Sequence, residues 1–247
     1  MSSDISMTGR LKIRGTWPNP IVFRRGWSLA TARPWNEESS DAHLRLVRGS
    51  AEFLREAAKM VPLDGGAVLS PPLATGTTAV WKEAGFSPHL VLDMFQKDLL
   101  ARQASPAIPV ITGDDDEWGR AIMIDRAAFA PLWRLGATGL KEALNATPTS
   151  TFLTVRSDTG ATVGFAIVGA GAATGYLQRV AVDPLHAGRG YGRALVRASL
   201  SWARRHGCRT MLLNTQPDNK PAGKLYESEG FTRVAAGLVI WSYREES

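Results

Sequence analysis

The residues best suited to chemistry in this 247-residue chain stand close together. Val180-Ala181-Val182-Asp183-Pro184 reads as a strand and the turn that ends it. Gly188-Arg189-Gly190-Tyr191-Gly192-Arg193 follows and leads directly into a helix. Alternate glycines between a strand and a helix let the backbone turn tightly and approach a ligand with no Cβ in the way. Their N–H groups, with the positive end of the following helix, make a site for an anion such as a pyrophosphate. Arg189 and Arg193 add charge-assisted donors. Two phosphate motifs are excluded by spacing. A GxGxxG fingerprint starting at Gly188 needs glycine where Arg193 stands, and no GxxxxGK string occurs. Taken alone, the loop is equally readable as a glycine-rich turn without a ligand.

Further along, Asn214 closes a strand, Asn219 opens a helix and Tyr226 lies on that helix. A tyrosine hydroxyl, with a reference pKa near 10, is suited to protonating a departing thiolate. The competing reading of Tyr226 is an aromatic at a helix end, packed near Phe231. Asn219 fits a helix N-cap as well as a ligand donor. The alternating valines Val180 and Val182 say only that the strand is buried.

The strand VAVDP, the loop GRGYGRAL, the strand ending Asn214-Thr215-Gln216 and the string from Asp218 through Tyr226 to Gly230-Phe231 occur in order. Together they resemble the GNAT superfamily of N-acetyltransferases, and within it the ribosomal-protein alanine N-acetyltransferase type, over about residues 108–245. The resemblance implies a mixed-sheet α/β acyltransferase fold, acetyl-CoA as cosubstrate and no metal. It implies direct transfer, in a ternary complex, to a primary amine on a small metabolite or a peptide N-terminus. Amides of Val180, Ala181 and Val182, on a strand splayed from its neighbour, would hold the pantetheine arm and polarise the thioester carbonyl. Residues 188–193 would hold the pyrophosphate, Asn214 and Asn219 would line the cofactor, and Tyr226 would be the general acid. Two positions depart from the pattern. Ala187 stands where Arg or Gln is usual. Asn214 replaces the glutamate of the alanine-acetylating enzymes, so the base is unassigned; a water held by Asn214, Gln178 or backbone carbonyls is the substitute. A CoA-binding regulatory module without transferase activity is the alternative reading.

The elements that must position these residues alternate. A helix is expected from the acidic run Asp114-Asp115-Asp116-Glu117 onward, where carboxylates suit a helix N-terminus. A second helix spans 139–145. Strands follow at 151–156 and 162–169, then the strand, helix, strand and helix that carry the motif, and a closing hairpin from 231 to 244. The first hundred residues look like a worn copy. Leu46-Val47-Arg48 and Leu195-Val196-Arg197 each open a helix 149 positions apart, and Gly26-Trp27 precedes Gly175-Tyr176 by the same offset. Trp81 through Phe86 matches Tyr226 through Phe231 at offset 145. On this reading residues 1–105 are a degenerate, partial GNAT-like domain without the first strand and helices, and 106–247 the catalytic domain. The linker is 101–109. Ser39 to His43 stand opposite the glycine loop, and Ala74 and Trp81 opposite Asn219 and Tyr226, so the early copy is expected to be inactive.

Composition sets the outer bounds. Hydrophobic residues are 44% and charged residues 21%, ordinary for a domain with a packed core. A single cysteine, Cys208, forms no internal disulfide, and no run is long and apolar enough for a membrane span. A cytoplasmic enzyme, in a reducing compartment and off the membrane, is expected. The net charge of +6 and pI near 9.8 suit any polyanion. The basic residues are scattered along the chain, which argues against nucleic acid as a partner. Oligomeric state is not readable.

Overall fold

A computed structural model describes residues 9–244. It divides into two compact units: residues up to Val91 together with those from Leu238 on, and residues Leu92–Gly237. The sequence places the boundary at 105/106. The difference has a simple cause, because each unit takes its last strand from the far side of that boundary.

In the first unit the elements run β1 (Lys12–Arg14), β2 (Ile21–Arg25), β3 (Ser28–Pro34), β4 (Ala42–Arg48), α1 (Ala51–Lys59), β5 (Val68–Leu69), β6 (Leu73–Ala74) and α2 (Ala79–Glu83). Strand β7 (Ser87–Asp98) then enters the second unit. There follow β8 (Val110–Thr112), α3 (Trp118–Ala128), α4 (Ala137–Asn145), β9 (Thr149–Arg156), β10 (Thr162–Gly171), β11 (Thr174–Val182), α5 (Tyr191–Arg205), β12 (Thr210–Thr215), α6 (Lys220–Ser228) and β13 (Thr232–Tyr243). The second unit orders its strands β8-β9-β10-β11-β12-β7. The first orders them β1-β2-β3-β4-β5, followed by the end of β13, where Tyr243 pairs with Val68.

The two ladders match rung for rung. In each, three antiparallel pairings are followed by one parallel pairing, β4 with β5 and β11 with β12. A register shift interrupts the third pairing of both, between Leu29 and Ala30 and between Ile167 and Val168. The two following helices also end alike. Gly85 and Gly230 have φ of +92° and +80°, and Phe86 and Phe231 donate their N–H to the carbonyls of Trp81 and Tyr226, each at 3.0 Å. That is a Schellman C-cap with its hydrophobic contact, and both aromatic pairs are edge-on, at 4.9 and 5.8 Å. The fold is a tandem of two units of like topology, one reduced.

Several local expectations are corrected. Leu46-Val47-Arg48 ends strand β4, and helix α1 starts at Ala51, capped by Ser50 Oγ accepting from the Phe53 N–H. Pairing with β3 overrides the helix preference of Leu46 and Arg48, since Leu46 and Arg48 stand opposite Ala30 and Leu29. Gly26-Trp27 forms the β2–β3 turn, so its match to Gly175-Tyr176, in strand β11, was coincidence. The first strand is present as β1. What is missing are the helices, because residues 15–20 join β1 to β2 where the second unit spends 113–148 on α3 and α4. Ala74 does not cap α2; Thr78 stands there. The closing hairpin is one twelve-residue strand, β13, since Gly237 continues the extended chain.

Each unit has its own core. In the first, Ile21, Phe23, Ala30, Ala32 and Leu44 pack on Phe53, Leu54 and Trp81. In the second, α5 covers one face of the sheet through Leu195, Val196 and Leu200. Helices α3 and α4 cover the other through Ala121, Ile124 and Leu140 against Phe165, Ile167 and Ala181.

Candidate active site

Strand β11 carries the first part of the site. Its parallel pairing with β12 covers Thr174, Gly175 and Tyr176 and stops there, opposite Leu212. Beyond that point β11 pairs with β10 alone and β12 with β7, so facing edges of the two strands part. Donors alternate along an antiparallel strand. Asp183 donates to the Val163 carbonyl, on the β10 side, which turns the N–H of Val182 and Val180 toward the opening. Ala181 points its donor back to β10, and its side chain is buried against α3. Of the three residues expected here, two face the gap. The register shift at Ile167/Val168 leaves Gln178 as the extra residue of β11, beside this edge.

The loop that follows opens a helix end. Asp183 Oδ1 accepts from the Leu185 N–H and holds a short turn at Pro184–His186. Gly188 and Gly190 have φ of +75° and +87°, the left-handed region that glycine enters without strain. A Cβ at Gly188 would meet nothing within 4 Å, so that approach is open. Gly190 caps the fifteen-residue α5 with no side chain, which leaves the first N–H groups of the helix for a ligand. Tyr191 and Gly192 have only their backbone to offer a ligand. The Tyr191 ring is buried in the core, and a Cβ at Gly192 would stand 3.4 Å from Leu225 Cδ2, in van der Waals contact with α6.

The two arginines diverge. Arg189 is exposed and makes no ion pair among the described residues. Arg193 is 2.9 Å from Glu229 Oε1, and Arg197 reaches both oxygens of the same carboxylate at 2.8 and 3.1 Å. Glu229 is buried, and it draws both guanidinium groups to the end of α6. Arg193 is therefore a tie between helices as found.

Strand β12 and helix α6 present the remaining residues. Asn219 Oδ1 accepts from the Ala222 N–H at 3.3 Å as the N-cap, leaving its amide N–H groups for another acceptor. Asn214 is exposed on β12 between the buried Leu213 and Thr215. Tyr226 is buried against Phe95 and Phe231. Burial pushes its phenol up to about 12, with the nearby Arg179 guanidinium opposing.

The sequence did not single out Arg179, which organises the neighbouring wall. Its guanidinium makes a two-pronged pair with the fully buried Asp125, at 2.6 and 2.9 Å, and donates to the Trp133 carbonyl at 2.7 Å. It also lies 3.5 Å over the Phe129 ring. Asp125 Oδ1 accepts from the Leu135 N–H at 2.7 Å as well. The connection from α3 to α4 is therefore folded around one guanidinium next to the opening of β11. An aspartate within the apolar stripe of a helix was the available signal, because a buried carboxylate needs a partner.

Residues 120–231 match the model of the Acetyltransferase (GNAT) family. The splayed strands, glycine loop and α6 described above lie within the matched residues. Among curated proteins it is similar to mycothiol acetyltransferases. That of Geodermatophilus obscurus is 44% identical over 66 residues, 27% of this chain and 21% of the relative. That of Corynebacterium glutamicum (strain R) is 42% identical over 62 residues, 25% and 21% of the two. These matches span about a fifth of the relatives' length. Among solved structures, a tandem GNAT protein from the clavulanic acid biosynthesis pathway superposes with a TM-score of 0.63, at 16% identity, covering 91% of this chain and 82% of the other. A GCN5-related N-acetyltransferase from Kribbella flavida gives 0.60 at 14% identity, covering 96% and 90%. At such identity the fold is what is shared. No helix among the described residues is long and apolar enough to cross a membrane.

Proposed function

We propose that the second unit is an acetyl-CoA-dependent N-acetyltransferase acting on a primary amine, of a small molecule or a peptide N-terminus, by direct attack in a ternary complex. The observation that carries this reading is the opening between β11 and β12. It offers two unpaired backbone donors, from Val180 and Val182, and leads along one chain segment to an uncapped helix N-terminus. An extended, hydrogen-bonding arm with an anionic end fits that combination. Acetyl-CoA supplies the activated acyl group. The Val180 and Val182 amides hold the arm and favour negative charge on the thioester oxygen. The amides of residues 188–193 and Arg189 hold phosphate oxygens.

In the transfer, the amine nitrogen bonds to the acyl carbon, the carbon–sulfur bond breaks, and the amine gives up a proton. Tyr226 protonates the sulfur. Its raised pKa keeps the proton on the phenol throughout the physiological range, and the same dry surroundings raise the affinity of a thiolate for a proton. No side chain at Asn214 can take the amine's proton, so a bound water beside Gln178 and Asn214 relays it. The first unit does not share this chemistry. A two-residue turn, Gly49-Ser50, joins β4 to α1 where the second unit has residues 183–190, and Ser50 occupies that helix N-terminus itself.

Absence of a carboxylate at Asn214 favours one second reading, a CoA-binding module without turnover. Incubation with acetyl-CoA and a panel of amines, with detection of released thiol, separates the two. Amine-dependent thiol release is expected; tight CoA binding with no release on any amine would leave the regulatory module.

A further inference from the structure

The scattered basic residues of the first unit converge on one sheet face. Directly opposed residues on neighbouring strands project to the same side. The registers place Lys12, Arg24, Leu29 and Arg48 in one row, and Arg14, Val22, Thr31 and Arg45 in the next. The alternate residues Ile21, Phe23, Ala30, Ala32 and Leu44 are buried beneath α1 and α2, so these two rows form the opposite face. In the second unit the corresponding face is apolar and covered by α3 and α4. Here six residues, 15–20, replace those helices, and no helix covers this face among the described residues.

Its composition is one-sided. Strands β1 to β4 contain no Asp or Glu. Lys12, Arg14, Arg24 and Arg45 are exposed, and none of the four makes an ion pair among the described residues. By contrast Arg25, on the covered face, is paired with Glu52 and Glu56. An uncovered sheet face that needed only solubility would mix charges of both signs, because single-sign clusters repel. The rows lie two residues, about 7 Å, apart, and span four strands at about 4.8 Å spacing. Val22 and Leu29 are half-buried between the cations and project nothing that would enter a lipid layer. In the β2–β3 turn at the end of these strands Trp27 is 64% exposed, and the Arg48 side chain donates to its carbonyl. Cations tracking a backbone beside an exposed aromatic ring are what single-stranded nucleic acid requires.

We propose that this open face of the first unit, Lys12, Arg14, Arg24 and Arg45 with Trp27 at its edge, docks the phosphate backbone of single-stranded nucleic acid. The scatter of these residues along the sequence hid the patch, because alternate positions of four strands must be brought into register before it exists. The reading is independent of the transferase activity of the second unit.

The test is fluorescence anisotropy of a labelled 20-nucleotide oligouridylate with the full chain. Binding is expected at 50 mM salt. With four phosphate contacts it should weaken by about 50-fold on going to 200 mM. Lys12→Gln/Arg14→Gln/Arg24→Gln/Arg45→Gln should lose at least about tenfold in affinity. A control with the same change in net charge, Lys59→Gln/Lys82→Gln/Arg204→Gln/Arg205→Gln, should lose less than about threefold. Circular dichroism and thermal melting of both variants certify folding, and single Arg14→Gln and Arg45→Gln, each expected to weaken binding by about twofold or more, serve if the fourfold variant does not fold. The proposal is overturned by no binding at 50 mM salt, by equal losses in variant and control, or by preference for phosphatidylserine vesicles over the oligonucleotide in a flotation assay.

Discussion

Arg179 Nε lies 2.6 Å from Asp125 Oδ2, and its other prong 2.9 Å from Oδ1, with the carboxylate fully buried. This pair ties the edge strand of the cofactor opening to the connection between α3 and α4. Losing one partner of such a pair leaves a buried charge unmatched, which typically costs about 3–5 kcal/mol. Asp125→Asn should therefore lower stability by about that amount in chemical denaturation. We further propose that the connection it anchors lines the acceptor amine, so that Asp125→Asn raises KM for the amine by more than KM for acetyl-CoA, whose Val180 and Val182 amides belong to a strand held separately by β10. Equal changes in both KM values would show that the pair supports the fold without setting the acceptor wall.

Tyr226 is predicted to be both packed and catalytic. Tyr226→Phe keeps the ring between Phe95 and Phe231 and removes only the hydroxyl, so turnover should fall by roughly 10²-fold or more with little change in CoA affinity or melting temperature. The pH dependence follows from the phenol's position at about 12. The protonated phenol is favoured in the folded protein, so its contribution is complete below pH 10 and is lost only as pH rises toward 12. The activity profile should show no loss near pH 10 from this group. A descending limb centred at 10 that disappears in Tyr226→Phe would mean that the phenol is solvated during turnover.

Gly190 is predicted to be needed for its backbone. With φ of +87° it is in the left-handed region, which a β-branched residue enters only with strain of about 1–2 kcal/mol. Gly190→Val should reduce acetyl-CoA affinity at least tenfold in calorimetry, through a displaced helix N-terminus. Because the strain acts on folding too, the melting temperature measured alongside should drop by only a few degrees. Unchanged affinity would move the phosphate site away from this loop.

Much of the second unit could be read from residue order because its signals are local. Alternate glycines beside a helix start, an asparagine before a proline-containing first turn, and YESEGF at a helix end all act within one turn of chain. Their structural consequences, an uncapped α5, the Asn219 cap and the Schellman end at Gly230, depend on nothing distant. The same locality let WKEAGF reveal the earlier copy. Pairwise offsets did less well between elements. The 149-residue match of Gly26-Trp27 joined a turn to a strand, and Leu46 to Arg48 lay in a strand, because insertions in loops shift an offset without marking where.

What the chain order determined by itself was the kind of each element around the motif and the identity of the residues at its loop and caps, since hydrogen bonding within a few residues decides both. Tertiary structure decided which of those residues keep their polar groups unpaired. Arg189 and Arg193 are four apart in sequence and equally basic. Only the approach of Glu229 from the end of α6, 36 positions beyond Arg193, pairs one of them and leaves the other exposed. Ala181 differs from Val180 and Val182 only in which neighbour its amide meets, and that is set by pairing with β10. Exchange of the last strands between units, and a cationic face assembled from four strands, likewise arise from register between distant segments. Composition and periodicity cannot express such pairings, because each strand's own pattern is satisfied by several partners and only packing selects one.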